Sequence, residues 1–231
     1  MKSIIKKILS MFGIGIYRIS INKPKEDNAQ GLPIIDPIHH NTLKRLNEIF
    51  SKPKFVKEYI SPERIAFYHI IVKLCLDKGI TFNQKTVADI GCGTGHLLKF
   101  ISEEFDDVTI TGFEYSDAAI KVAKTTCPKA TFFKFDIYQG TYQKFDVVFC
   151  IEVLEHLLYP DEALKNCLKI ILNGGTLIIT VPNGRNDTYL GHINFWSPES
   201  WKVFIETNCE GLQFDTGLTE SGANYAIILK E

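Results

Sequence analysis

Three acids close apolar runs in the middle of the chain: Asp89 after "TVA", Glu114 after "TITGF" and Asp136 after "TFFKF". Directly after the first run comes "GCGTG", with glycines at 91, 93 and 95. Glycines at that spacing let a turn close and let a ligand reach main chain. Carboxylates at three successive strand tips would repel a pyrophosphate, so the ligand they suit has a cationic end and a nucleoside. Glu114 is placed to accept hydrogen bonds from both ribose hydroxyls. Asp136 can accept from an exocyclic amine, with Tyr115 and Ile137 as apolar walls for the base. A dinucleotide fingerprint, G-x-G-x-x-G, would need glycine at position 96, where the chain has His96.

A second group lies in "FCIEVLEHLL". Glu152, Glu155 and His156 stand at i, i+3 and i+4, and on a helix they would share one face. His192 follows in "VPNGRNDTYLGHINFW". Two carboxylates and two imidazoles form a hard-to-borderline donor set for a divalent ion such as Mg, Mn, Fe or Zn. Without an ion, His156 or Glu152 becomes the candidate general base. The plainer alternative is packing for the histidine and helix capping for the glutamates. Asn183 and Trp196, on the same segment as His192, are the candidate acceptor contacts, Trp196 by stacking on a ring or sugar.

The elements that must position these residues alternate. Strand-like runs are "TVADI", "VTITGF", "ATFFKF", "KFDVVFC", "GTLIITV" and "YAIILK". Helical segments are expected at 95–104, 117–124, 161–172 and 198–208. An earlier helix begins at Ser61, with Pro62 in its first turn and Gly79 as its stop. Alternating strands and helices imply a doubly wound parallel sheet covered on both faces. Strands four and five are then neighbours, so both parts of the second group open onto one crevice at the carboxyl ends of the strands.

Ahead of these elements, "MKSIIKKILSMFGIGIYRIS" puts Ile4, Ile5, Ile8, Leu9 and Phe12 on one helical face, with lysines mostly opposite. Its charge-free stretch is too short to span a bilayer. It reads either as a surface-lying membrane helix or as a packing helix. A polar, proline-bearing arm follows. The organisation expected is therefore residues 1–60 as amphipathic helix and arm, and residues 61–231 as the α/β domain.

Totals limit the function classes. The 231 residues allow one such domain. With 26 basic against 27 acidic residues, nothing in bulk charge points to nucleic acid. Six scattered cysteines without a CxxC pair read as reduced core thiols of a cytoplasmic protein, peripheral at the inner membrane face if residues 1–20 bind lipid.

The ordered stretches "VADIGCGTG", "GFEYSDAAIKVA", "FKFDIY" and "FDVVFCIEVLEHL" resemble the motifs of class I S-adenosylmethionine-dependent methyltransferases, in the branch of the ubiquinone-biosynthesis O-methyltransferases. The resemblance runs from about Lys85 to Glu206. It implies a seven-stranded, mostly parallel sheet with an antiparallel last strand, "LQFDTGL" and "NYAIILK" forming the closing hairpin. It also implies S-adenosylmethionine as cofactor, with Asp89, Gly91 and Gly93 at the methionine part, Glu114 at the ribose, and Asp136 with Ile137 at the adenine. Cys92, Gly95, Tyr115 and Cys150 complete that set. Where the family more often has Asp, this chain has Glu114, which keeps the chemistry. The pair of segments around Glu152 and His192 further resembles small-RNA 3′-terminal 2′-O-methyltransferases, in which two Glu and two His hold a metal against adjacent hydroxyls.

The function expected is O-methylation of a hydroxyl on a small molecule or glycan, with a surface-polysaccharide sugar favoured by Trp196 and the membrane-type helix. A quinone precursor is the alternative carried by "EVLEH". RNA fits the metal constellation but not the neutral charge. A non-catalytic scaffold is the reading from another class, and the retained glycines and ribose acid argue against it.

Overall fold

The computed structural model describes residues 41–141 and 143–231. The expected amphipathic helix, the arm up to residue 40, and His39 and His40 lie outside the described residues. Seven strands form one sheet: β1 (Thr86–Ile90), β2 (Thr109–Glu114), β3 (Thr131–Lys134), β4 (Phe145–Ile151), β5 (Ile171–Val181), β6 (Gln213–Leu218) and β7 (Asn224–Leu229). Their order is β3-β2-β1-β4-β5-β7-β6. Pairing is parallel throughout except that β7 runs antiparallel to both neighbours, β5 and β6. This is the expected architecture.

Parallel neighbours need crossover connections, and helices supply them. Here α3 (Pro62–Asp77), α4 (His96–Glu104) and α5 (Asp117–Thr126) accompany the first strands, and α6 (Pro160–Lys169) and α7 (Pro198–Asn208) the later ones. Along β4 the side chains divide by turns between two cores. Val147, Phe149 and Ile151 pack with Ile71, Leu98 and Ile101. Val148 and Cys150 pack with Leu164, Ile179 and Trp201. A strand buried on both faces must be apolar at successive positions, which is why "VVFCI" shows no alternation. All six cysteines are buried and free.

Local signals held where they were strong. Ser61 accepts from the backbone N–H of Arg64, Pro62 opens α3, and Gly79 leaves it at φ +79°. The helix expected over 161–172 instead ends at Lys169. Ile171 pairs with Phe145 ahead of a register shift, so the residues after Lys169 join the sheet. At the same end, Asp146 accepts from both the N–H and the hydroxyl of Thr86, at 2.9 and 2.6 Å, and clasps β4 to β1.

Residues 41–60, expected in the arm, fold with the domain. They form α1 (Leu43–Phe50), capped by Thr42, and α2 (Pro53–Glu58), opened by its proline. The Asn47 side-chain oxygen accepts from the Ser116 hydroxyl at 2.8 Å and the Ala118 N–H at 3.1 Å. This seats α1 on the entry to α5.

Candidate active site

The turn after β1 is built on left-handed backbone: φ is +71° at Gly91, +52° at Gly93 and +77° at Gly95. A side chain at Gly91 is excluded twice over, because a Cβ there would stand 2.5 Å from Cγ2 of Val153. Glu114, at the tip of β2, holds the turn by accepting from the N–H of Gly93 at 2.9 Å and of Ser116 at 2.8 Å. Carboxylate oxygens keep further lone pairs after such contacts, so the acid can still take hydroxyl donors. Asp89 is buried beside it. Burial, and then the Glu114 charge, pushes the Asp89 carboxyl well above its ordinary value. Burial likewise raises Glu114. Such a pair of buried acids lowers its energy by taking a cationic ligand.

Asp136 accepts from the Tyr138 N–H at the tip of the third run, with Ile137 buried and Tyr115 exposed beside the crevice. Cys92 is nearly buried, its sulfur against Gly112, and burial drives its thiol up. Cys150 is a correction. It has no exposed surface and packs in the core beneath α6 beside Cys167, so it belongs to the packing and not to the crevice.

The N-terminal helices cover this turn. The ring of Tyr59 lies 3.5 Å from where a Gly93 Cβ would be, and burial pushes its phenol up. Arg64 lies 5.9 Å from that ring and 5.7 Å from the ring of Phe67. Its charge acts on Tyr59, Tyr68, Glu152 and Glu155. The Tyr68 phenol is pushed up to about 12, chiefly by burial.

The second group does not lie on an α-helix. β4 stops at Ile151, Glu152 adopts φ +56°, and one 3-10 turn covers Leu154–His156. A non-glycine residue in the left-handed region turns the chain sharply, and such strain clusters at functional sites. The turn separates Glu152 from the other candidates. Its Oε1 accepts from the Thr180 hydroxyl at 3.0 Å, and burial raises its carboxyl to about 7. Glu155, His156 and His192 come together without it, with one ligand atom from each within 4.8 Å of the others. The four-residue set expected from the sequence is therefore a set of three.

Within that set, Glu155 is 1 % exposed, and no N–H or hydroxyl of any other described residue donates to its carboxylate oxygens. Burial, and then the Glu152 charge, pushes its carboxyl well up. Nε2 of His156 and Nε2 of His192 each lie 3.8 Å from Glu155 Oε1. The other ring nitrogens are engaged: His156 Nδ1 with the Gly191 carbonyl at 3.2 Å, His192 Nδ1 with Asp187 Oδ2 at 2.6 Å. Burial lowers the His192 pKa, favouring the neutral ring. A buried carboxylate without donors, facing two imidazole nitrogens whose partner atoms are already occupied, is a donor set that fits a divalent cation.

The two segments are also stitched through main chain. The N–H groups of Ile193 and Asn194 donate to the Glu155 carbonyl, and the Asn194 side chain donates to the carbonyls of Leu154 and Leu157. Asn183 shapes the turn after β5, its side chain accepting from the Arg185 N–H. Trp196 is partly buried, its ring edge-on to Trp201 at 5.5 Å and tilted against Phe204 at 5.1 Å, on α7. What flanks the triad instead is exposed and apolar: Tyr189, 4.8 Å from the His192 ring, then Leu190 and Phe195. Asp187, Asn194, Asn47 and Tyr59 were not singled out in the sequence. The only signal was the Asp187–His192 spacing, in a loop that carries no periodicity.

Residues 88–177 match the family described as "Methyltransferase domain". The chain is 31% identical over 121 residues to a ubiquinone biosynthesis O-methyltransferase of Coxiella burnetii, covering 50% of this chain and 51% of that protein. It thus spans about half the length of the curated relatives it matches. Among solved structures, the DhpI–SAH complex superposes with a TM-score of 0.65 at 16% identity, covering 83% of this chain and 98% of that one. The plantazolicin methyltransferase BpumL with SAH gives 0.63 at 16%, covering 84% and 98%. In fold and in ordered motifs the chain is similar to S-adenosylmethionine-dependent methyltransferases. The sequence similarity runs to the ubiquinone-type O-methyltransferases in particular.

Proposed function

We propose that the chain transfers a methyl group from S-adenosylmethionine to a hydroxyl of a small molecule bearing two adjacent hydroxyls, with a divalent cation held by Glu155, His156 and His192. The observation that carries this reading is the buried Glu155 carboxylate, without donors and facing two Nε2 atoms. On the donor side, Asp89 and Glu114 suit the sulfonium end and the ribose, and Arg64 is the cation available to the donor's carboxylate.

In the transfer the acceptor oxygen bonds to the methyl carbon as the carbon–sulfur bond breaks, and the electron pair stays on sulfur. The hydroxyl proton must leave. A bound ion would lower the pKa of the acceptor hydroxyl and orient it. Glu152, with its carboxyl near 7, suits the role of proton acceptor at neutral pH. The helices over Gly93 exclude water and align the reactants, which is the main demand of an in-line displacement.

The exposed apolar flank of Tyr189, Leu190 and Phe195 favours a phenolic ring with an apolar substituent. The sugar expected from the sequence leaned on Trp196, whose ring is partly buried against Trp201 and Phe204. The relatives named for ubiquinone biosynthesis agree with a phenolic acceptor. Membrane-surface contact through residues 1–20 belongs to the same proposal and is read by binding to anionic liposomes.

The deciding assay follows conversion of S-adenosylmethionine to S-adenosylhomocysteine with a catechol, the matching monophenol and a vicinal-diol glycoside. The expected result is turnover of the catechol, lost with EDTA and restored by Mg or Mn. Full activity after exhaustive chelation removes the metal. Turnover of the glycoside alone returns the acceptor to sugars.

A further inference from the structure

Both imidazoles of the triad are tied down by one short loop. His192 Nδ1 meets Asp187 Oδ2 at 2.6 Å, and both side chains are almost buried, at 10% and 7% exposure. The second Asp187 oxygen, Oδ1, accepts from the Tyr189 N–H at 3.0 Å, and the Asp187 N–H donates to the Asn183 carbonyl. The carboxylate therefore has a fixed direction and cannot rotate away without losing a main-chain partner. Four residues further on, the Gly191 carbonyl meets His156 Nδ1 at 3.2 Å and accepts from the Asn41 side chain at 2.9 Å.

We infer that Asp187 is a positioning residue: it fixes His192 in the tautomer protonated at Nδ1, so that the Nε2 lone pair faces Glu155. A carboxylate only accepts hydrogen bonds, so a neutral imidazole at 2.6 Å must present its N–H there. Its other nitrogen is then bare of hydrogen and available as a ligand. Buried carboxylates behind metal-binding imidazoles set ring orientation and basicity, and removing one costs about 10–100-fold in metal affinity. The inference rests on the metal reading above, but its first consequence, the tautomer, needs no metal.

The test uses the full-length protein and two measurements. Long-range ¹H–¹⁵N correlation spectra of metal-free protein read the His192 tautomer, and calorimetry reads affinity for Mn(II). The expected wild-type spectrum shows the Nδ1–H form. Asp187→Ala should shift His192 toward the Nε2–H form and weaken Mn(II) binding by about 10–100-fold. It should leave S-adenosylhomocysteine binding within about twofold, since Asp187 touches no donor-site residue named above. Should that variant misfold, Asp187→Asn carries the same comparison at nearly the same size. Its amide has one oxygen for two donors, so it should fall between wild type and Ala. An unchanged tautomer and unchanged Mn(II) affinity in the variants overturn the inference. A wild type that binds no Mn(II) overturns the metal reading, while the spectra still decide whether Asp187 sets the ring.

Discussion

Glu155 carries an uncompensated cost. Its carboxylate is buried, and no N–H or hydroxyl of any other described residue donates to either oxygen. An unsatisfied buried group costs about 1–3 kcal/mol, more when charged. In chelator, Glu155→Met should therefore melt higher than wild type, by an amount equivalent to about 1–3 kcal/mol. With Mn(II) present the order should reverse, because only the wild type gains from binding. Differential scanning calorimetry with and without EDTA reads both halves; a lower melting point for the variant in chelator would show that Glu155 is satisfied by some other means. At this scale the sequence showed residue types better than geometry. The Glu152-to-His156 spacing pointed to the right segment, but it implied a helix. The left-handed backbone at Glu152 is set by the end of β4 and by Thr180, and neither is visible in a local pattern.

Strands were the most legible elements. The buried stretches of β1, β4 and β5 are covered on both faces, so each is largely apolar at successive positions, and such runs bounded by glycines and acids stand out. The two helices α1 and α2 were missed although α1 repeats apolar residues at Leu43, Leu46, Ile49 and Phe50 behind the Thr42 cap, because at eight and six residues each is short and reads as part of the arm before it. Their hold on the domain comes in part from distant partners. Asn47 is the clearest such partner. Asn47→Ala removes the acceptor for Ser116 and Ala118 and should cost about 1 kcal/mol in urea unfolding. It should also speed amide exchange in α1 while leaving α6 unchanged. The clasp between β1 and β4 gives a pH dependence. Burial acts to raise the Asp146 carboxyl, but hydrogen bonds from Thr86 and the Lys85 charge outweigh it and hold the group below its ordinary 3.8. A depressed carboxyl binds fewer protons in the folded state, so its contribution is present above the ordinary value and lost as pH falls through the depressed one. Acid unfolding of Asp146→Asn should show a shallower slope below about pH 4 than wild type. Identical acid profiles would mean that the clasp contributes nothing to stability.

At the scale of the whole molecule, the order of the strands decides what meets what. β1 and β4 are neighbours although some fifty residues separate them in sequence, so the turn after one touches the turn after the other. The contact is specific: the space where Gly91 would carry a side chain is filled by Val153, the residue between Glu152 and the 3-10 turn bearing Glu155 and His156. The glycine turn after β1 and the triad thus share one wall, and neither can shift without the other. Two ligands that bias one rigid element are bound by reciprocity: whatever factor the first applies to the second's affinity, the second must return. Mn(II) titrations with and without S-adenosylhomocysteine, and the reverse pair, should close a thermodynamic square with a coupling factor above one. Gly91→Ala, which drives a methyl group into Val153, should weaken both ligands at once. A factor of one in the wild type would make the shared wall a matter of packing alone.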